Sequence, residues 1–120
     1  MQLPDANTYL RYLLNDHPTL SLRAKAIIQD HTIYTDPTII AEVVWVLTSF
    51  YQLDKNKFIP PLLAIIDQKN NKVPSKNLLV KAMNFFATHN LSYIDCYLFC
   101  LAQKQQASVI TFDKKLAKLT

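Results

Sequence analysis

The sequence contains no glycine, and this absence excludes one large class of ligand sites. The P-loop and the dinucleotide-binding fingerprint both need glycines where the backbone approaches phosphate. Nucleotide cofactors bound by those loops are therefore not expected. Cysteine is also scarce: Cys96 and Cys100 lie four residues apart on one predicted helix, where they cannot sensibly pair, and no further cysteine is present for a zinc cluster. We predict that both are small core residues.

Long apolar runs and a strong charge bias are missing as well. No apolar segment reaches the roughly 18 residues that a membrane span needs, and the N-terminus lacks a signal-peptide pattern. We therefore expect a soluble cytoplasmic protein with no membrane partner. Thirteen basic and nine acidic residues give a formal charge of +4, which permits nucleic acid as a partner without indicating it. The 120 residues, half of them hydrophobic, suffice for one folded domain, 1–120.

Short segments with strand character alternate with segments of helical periodicity. Strands are predicted in MQLPD, HTIYT, NKVP and SVITF, of which SVITF is the clearest. Helices are predicted in NTYLRYLLN, LSLRAKAIIQ, TDPTIIAEVVWVLTSFYQ, LDKNKFIPPLLAIIDQK, SKNLLVKAMNFFATH, SYIDCYLFCLAQKQQ and DKKLAKL. Pro60 and Pro61 are expected near a kink or a restart of their helix. Strands separated by helices indicate parallel pairing, so the predicted fold is an α/β sandwich dominated by helix.

The nine acidic residues fall into two groups by position. Five lie beside turn signals, where solvated caps and loops explain them: Asp16, Asp30, Asp36, Asp54 and Asp67. The other four do not fit that pattern. Asp5 and Asp113 close the first and the last predicted strands. Glu42 lies mid-helix among apolar residues, and Asp95 interrupts the apolar segment YIDCYLFCLAQ. Because ligands of open α/β folds bind at the carboxyl ends of the strands, these four carboxylates could converge at one edge.

Carboxylates gathered in this way repel one another, which raises their pKa values unless a cation is present. Mg²⁺ or Mn²⁺ suits such a cluster, because these ions prefer oxygen ligands and retain several waters. Near a phosphodiester, either ion neutralises charge and activates a water. The pattern therefore favours a site for a hard divalent cation.

Each of these acids also has a purely structural explanation. Ser92-x-x-Asp95 matches a capping box, and an acid in the first turn suits the helix dipole. Asp5 and Asp113 could each simply begin the helix that follows, and Glu42 could be an exposed helix residue or pair with a lysine. The residues alone leave these alternatives open.

The order of the acidic segments resembles that of PIN-domain ribonucleases. LPDANTYLRYLLNDHP is similar to the opening of that family, AEVVWVL to its second acidic motif, YIDCYLFCLAQ to its third and VITFDKKL to its fourth. The resemblance covers nearly the whole chain, whose length is similar to that of single-domain VapC-type toxins of bacterial toxin–antitoxin pairs. It implies a PIN-like α/β/α sandwich, with a short parallel sheet flanked by helices.

The same resemblance implies an endoribonuclease that cuts RNA with Mg²⁺ or Mn²⁺. It also implies a homodimer that is held by a cognate antitoxin protein. The catalytic metal ligands that it implies are Asp5, Glu42, Asp95 and Asp113. Two further positions, Asn7 and Thr111, match residues that shape the site around the acids.

Some residues outside the acidic motifs also have two interpretations. Arg11, Lys114 and Lys115 flank the first and last motifs and could contact RNA phosphates, or they could be ordinary surface charge. Trp45 and the aromatic residues of MNFF and YLF are predicted to lie in the core rather than to stack on bases. Two alternative functions are a PIN-like nuclease outside any toxin system and a catalytically silent PIN-like binding module. The presence of all four acids argues against the second alternative.

Overall fold

Most of the chain is helical, and the few residues in strands form one short parallel sheet. The computed structural model describes residues 1–119. The chain divides into two units, of which the first is Met1–Pro74 and the second begins at Ser75. The helices and the parallel sheet confirm the predicted α/β fold class. Among residues 1–119, every helix is too short or too polar to span a lipid bilayer.

The first unit contains four α-helices and both strands. Its elements are α1 (Ala6–Leu14), α2 (Leu20–Asp30), β1 (Ile33–Tyr34), α3 (Pro37–Trp45), a π-helical segment (Val46–Phe50), α4 (Lys55–Ile66) and β2 (Asn71–Lys72). Helix α1 packs against α2, α3 and α4. Helix α4 runs through Pro60 and Pro61 as one element, so the helix does not restart there, and the alternative of a kink stays a prediction. The buried side chains of α4, among them Phe58 and Leu62, stabilise it despite the missing backbone donors.

The sheet is shorter than the sequence predicted. β1 and β2 pair in parallel, with Ile33 opposite Asn71, as expected for HTIYT and NKVP. The strand predicted in MQLPD is reduced to a single parallel bridge between Gln2 and Ile33. It ends there because Pro4 has no N–H to donate and Asp5 already begins α1.

A buried chain of hydrogen bonds fastens α1 to the two strands. The Tyr9 hydroxyl donates to Thr35 Oγ1 at 2.6 Å, and the Thr35 hydroxyl donates to Asn71 Oδ1 at 2.8 Å. Asn71 Nδ2 in turn donates to the carbonyl oxygen of Ile65 at 2.9 Å. Burial raises the pKa of Tyr9, so this phenol remains a neutral donor at neutral pH. The network therefore fixes the position of α1, whose first residues carry the first acidic motif.

The second unit contains three helices in the residues that the structure describes. They are α5 (Lys76–Thr88), α6 (Tyr93–Gln105) and α7 (Lys114–Leu119), and α6 packs against both of the others. Cys96 and Cys100 are completely buried on α6, which confirms their prediction as core residues. Burial also raises the pKa of the Cys100 thiol, so it is protonated at neutral pH.

The strand predicted in SVITF is not formed. Residues 107–112 have irregular backbone, and the side chains of Ile110 and Phe112 are 88% and 105% exposed. A strand exists only where a neighbouring strand accepts its backbone hydrogen bonds, and none pairs with this segment in the described residues. The β-branched residues of SVITF favour an extended strand, but no neighbouring strand pairs with the segment in the described residues, so the strand does not form.

The lack of glycine has a visible structural cost. Among the described residues, four adopt positive φ, and all of them carry a Cβ atom: Asn15, Gln52, Ser75 and Gln106. Left-handed backbone costs a residue other than glycine roughly 1 kcal/mol or more. Gln106 occupies this conformation at the end of α6, with φ 54° and ψ 43°, where its N–H caps the helix carbonyls.

Candidate active site

Asp5 begins α1 and caps it with its own side chain. Its Oδ1 accepts hydrogen bonds from the backbone N–H and from the hydroxyl of Thr8, both at 2.9 Å. The Thr8 backbone donor, followed by the Thr8 hydroxyl, lowers the pKa of Asp5 below its ordinary value of 3.8. The expectation that mutual repulsion raises the pKa of each acid is therefore wrong for Asp5. At neutral pH this exposed residue is fully ionised.

A cavity of about 150 Å³ lies beside the first turns of α1, between α1 and α2. Its lining includes Asn7, Thr8 and the guanidinium-bearing side chains of Arg11 and Arg23. Asn7 was predicted to shape the site, and its exposed side chain lies two residues after Asp5. The first acidic motif thus adjoins a recess that presents two cations and two neutral polar groups.

Arg11 is held in a fixed position by two neighbours. Its Nη1 forms an ion pair with Asp16 Oδ1 at 2.9 Å, and its Nη2 donates to the Tyr51 hydroxyl at 3.2 Å. Its Nε is buried without a hydrogen-bond partner among the described residues. Asp16, predicted to be a solvated turn residue, therefore also neutralises much of the charge of Arg11. A role for Arg11 at RNA phosphates stays a prediction.

Glu42 lies on the solvent-exposed side of α3. Its neighbours on the opposite side, Val43, Val44 and Leu47, are buried. Within the described residues of its unit, the Glu42 carboxylate accepts no hydrogen bond and forms no ion pair. Glu42 therefore forms no ion pair with a lysine of this unit, which was one of its predicted alternatives, and its carboxylate faces water.

Asp95 lies in the first turn of α6, which Ser92 caps. Ser92 Oγ accepts a hydrogen bond from the Asp95 backbone N–H at 3.1 Å, which is one half of the predicted capping box. Within its own unit, the described residues provide no hydrogen bond or ion pair for the Asp95 carboxylate. The side chain is half-buried rather than enclosed, between the buried residues Tyr93 and Cys96. Its desolvation cost is therefore smaller than the apolar sequence around it suggested.

Asp113 caps α7 as Asp5 caps α1. Its Oδ1 accepts from the Leu116 backbone N–H at 2.9 Å, and its own N–H donates to Thr111 Oγ1 at 2.9 Å. Thr111 therefore orients the backbone at Asp113, and its role in shaping an active site stays a prediction. Lys114 and Lys115 follow on the exposed first turn of α7.

The predicted acids divide between the two units. Asp5 and Glu42 belong to the first unit, whose helices α1 and α3 pack together, and Asp95 and Asp113 belong to the second, where α6 packs against α7. In residues 1–119, no three His, Cys, Asp or Glu side chains form a group that could hold a metal ion. A joint site of all four acids therefore stays a prediction.

Trp45 was predicted to be a core residue, but it is 64% exposed on α3. The helical spacing contained the signal: Glu42 and Ser49 lie three residues before and four residues after Trp45, so Trp45 shares their polar stripe.

Comparison with known proteins identifies the family. The family model of the PIN domain matches residues 3–120, nearly the whole chain. The chain therefore belongs to the PIN domain family, which is generally a nuclease fold. No curated protein and no solved structure matches the chain.

Proposed function

We propose that this protein is an endoribonuclease that depends on Mg²⁺ or Mn²⁺ and hydrolyses phosphodiester bonds of RNA. The metal ligands and catalytic residues that we propose are Asp5, Glu42, Asp95 and Asp113. One observation carries the proposal: the PIN-domain family model matches residues 3–120, and all four acids lie within that match. In the first unit the Glu42 carboxylate faces water, and in the second the half-buried Asp95 carboxylate has no ion-pair partner among that unit's described residues, so both can take a cation.

The donor set fits such a cation. All four side chains offer hard carboxylate oxygens, which Mg²⁺ and Mn²⁺ prefer over nitrogen and sulfur. Helix capping by Asp5 and Asp113 uses only Oδ1, so the second oxygen of each is available to a metal. When bound, the metal neutralises charge on the phosphodiester and lowers the pKa of an attacking water.

The protein contributes orientation to this chemistry. The hydrogen bonds from Thr8 hold the Asp5 carboxylate in one rotamer, and the Leu116 N–H does the same for Asp113. Because both carboxylates are ordered before a ligand arrives, less conformational entropy is lost on binding. The lowered pKa of Asp5 keeps it ionised throughout the neutral range.

Charge distribution supports a polyanionic substrate. Residues 75–120 contain six basic and two acidic residues, and the preceding residues contain seven of each, so the whole net charge of +4 lies in the second unit. Lys114 and Lys115 are exposed immediately after Asp113, where they could contact RNA phosphates. At the cavity beside α1, Arg23 offers a second cationic position, next to Arg11, whose charge Asp16 partly neutralises.

We further propose that the enzyme is a cytoplasmic VapC-type toxin of a type II toxin–antitoxin system. In that role it would act as a homodimer restrained by a cognate antitoxin. The two units would serve one functional domain, 1–120, since the family model spans both of them.

The deciding experiment is RNA cleavage by the purified protein. We expect cleavage with Mg²⁺ or Mn²⁺, none in excess EDTA, and none by Asp95→Asn, which keeps the side-chain shape but removes the charge. Cleavage in EDTA, or full activity of Asp95→Asn, would contradict the metal mechanism. Absence of cleavage under all metal conditions would favour a silent binding module.

The toxin role is tested separately in cells. Induced expression of the wild type should arrest growth, expression of Asp95→Asn should not, and co-expression of the cognate antitoxin should restore growth. An RNA-cleaving protein that leaves growth unaffected would instead be a nuclease outside a toxin system.

A further inference from the structure

The cavity between α1 and α2 is lined by two guanidinium groups and, in the part of the chain that the structure describes, by no acidic residue. Its volume is about 150 Å³, below the roughly 300–1,000 Å³ of pockets that enclose a whole small-molecule ligand. Helix α1 contributes Asn7, Thr8 and Arg11 to the lining, and α2 contributes Arg23 among apolar side chains. The cavity therefore suits one compact polar group rather than a whole nucleoside.

Arg23 brings an unneutralised positive charge to this cavity. It lies on the exposed side of α2, and its guanidinium forms no ion pair with the described residues of its unit. The first unit as a whole contains equal numbers of basic and acidic residues, but its acids do not line the cavity. The local charge at this position is therefore positive.

Arg11 has donors that its two neighbours leave unused. Asp16 Oδ1 lies 2.9 Å from Nη1, and the Tyr51 hydroxyl accepts from Nη2 at 3.2 Å, whereas the buried Nε has no acceptor among the described residues. A buried donor without a partner keeps its desolvation cost uncompensated, so a further acceptor oxygen near Arg11 is favourable. The Asp16 side chain is 40% exposed, which allows an entering anion to compete with it.

The placement of these donors favours phosphate over a carboxylate. One edge of a single guanidinium satisfies both oxygens of a carboxylate, whereas the oxygens of a phosphate group point in several directions. Arg11 and Arg23 reach the cavity from two different helices, and the exposed Asn7 amide adds a neutral donor. Donors on several sides match a tetrahedral anion.

Thr8 connects the cavity with the first acidic motif. Thr8 belongs to the lining, while its backbone N–H and its hydroxyl both donate to Asp5 Oδ1 at 2.9 Å. We propose that the cavity binds one phosphate group through Arg11 and Arg23, beside Asp5 but without using the donors that hold Asp5. Two sources carry this group, free inorganic phosphate and a phosphate of an RNA strand. Only the RNA source rests on the ribonuclease function proposed above.

Binding of inorganic phosphate to the metal-free protein tests the site. Isothermal titration calorimetry at constant ionic strength should show saturable binding of phosphate and much weaker binding of acetate. Arg23→Gln should weaken phosphate binding about tenfold, the loss expected for one charge-assisted donor. Lys25→Gln is the matched control, since Lys25 is an exposed cation on the same helix that lines a different cavity, and it should bind phosphate like the wild type.

Asp16→Asn separates anion binding from a structural role. It removes the anion that competes for Arg11 Nη1, so phosphate binding should become several-fold tighter, the opposite of the change in Arg23→Gln. If the two residues only supported the packing of α1 on α2, both variants would bind phosphate more weakly. That result, equal binding of acetate and phosphate, or unchanged phosphate binding by Arg23→Gln would overturn the proposal.

Labelled RNA distinguishes the two sources of the phosphate group. If the cavity takes a phosphate of RNA, Arg23→Gln should weaken RNA binding, measured by fluorescence anisotropy in Ca²⁺, about tenfold, and Lys25→Gln should not. If Arg23→Gln loses inorganic phosphate but binds RNA like the wild type, the ligand is free phosphate. Saturable phosphate binding by a protein that cleaves no RNA would support the anion site and refute the ribonuclease. RNA cleavage without phosphate binding would overturn the anion site alone.

Discussion

Asp5 has two separable roles, a helix cap that the structure shows and a metal ligand that we propose. Replacement by Ala removes both roles, because no acceptor remains for the Thr8 N–H and hydroxyl, each at 2.9 Å. Loss of an N-cap costs about 1 kcal/mol. For 120 residues this corresponds to a fall in Tm of about 4 °C. Replacement by Asn keeps a capping oxygen, so Asp5→Asn should melt within about 1 °C of the wild type.

The cleavage assay separates the two roles. Both Asp5→Ala and Asp5→Asn should lose RNA cleavage, because neither retains a charge for the metal, although only the first loses stability. Asp36 is the matched control, since it caps α3 through Thr38 N–H at 2.9 Å but is not a proposed ligand. Asp36→Ala should lower Tm by a similar amount and leave cleavage unchanged. Full activity of Asp5→Asn would show that Asp5 is only a cap.

The cap also has a pH dependence with a defined sign. Because the pKa of Asp5 is lowered in the folded chain, the unfolded chain binds the proton first as pH falls. The stabilisation by the ionised cap is therefore complete above the ordinary value of 3.8 and is lost as pH falls through the folded pKa. The difference in unfolding free energy between wild type and Asp5→Ala, measured by urea denaturation, should shrink below pH 3.8. A difference that stays constant to pH 2 would contradict this assignment.

Two further predictions concern stability. Mn²⁺ at a hundredfold excess over its dissociation constant should stabilise the wild type by about 2.7 kcal/mol at neutral pH, and thermal melting of Asp95→Asn should show little of this gain. Equal shifts in both proteins would exclude Asp95 as a ligand. Gln106→Gly should raise the unfolding free energy by about 1 kcal/mol, because glycine adopts the positive φ of 54° without a Cβ clash. Urea denaturation measures this change, and a loss of stability would show that the Gln106 side chain contributes more than its backbone strain costs.

The sequence by itself determined the local features of this protein. The helix starts at Asp5, Asp36 and Ser92 were predictable, because a capping side chain bonds a backbone N–H only two or three residues away. The same holds for the burial of Cys96 and Cys100, which follows from their apolar helix. The acidic motifs and their order could also be identified from the sequence. They predicted a PIN domain, and the family model confirms it.

Only the tertiary structure decided which segments find partners. SVITF has the strongest strand composition in the chain but remains irregular, whereas the two residues Asn71–Lys72 pair with β1. Strand formation depends on a neighbour distant in sequence, which composition does not encode. The exposure of Trp45 was likewise decided by which side of α3 packs inward, and that side carries Ile40 and Val43. Hydrophobicity favours burial of an indole, but the geometry of one helix face places this one in water.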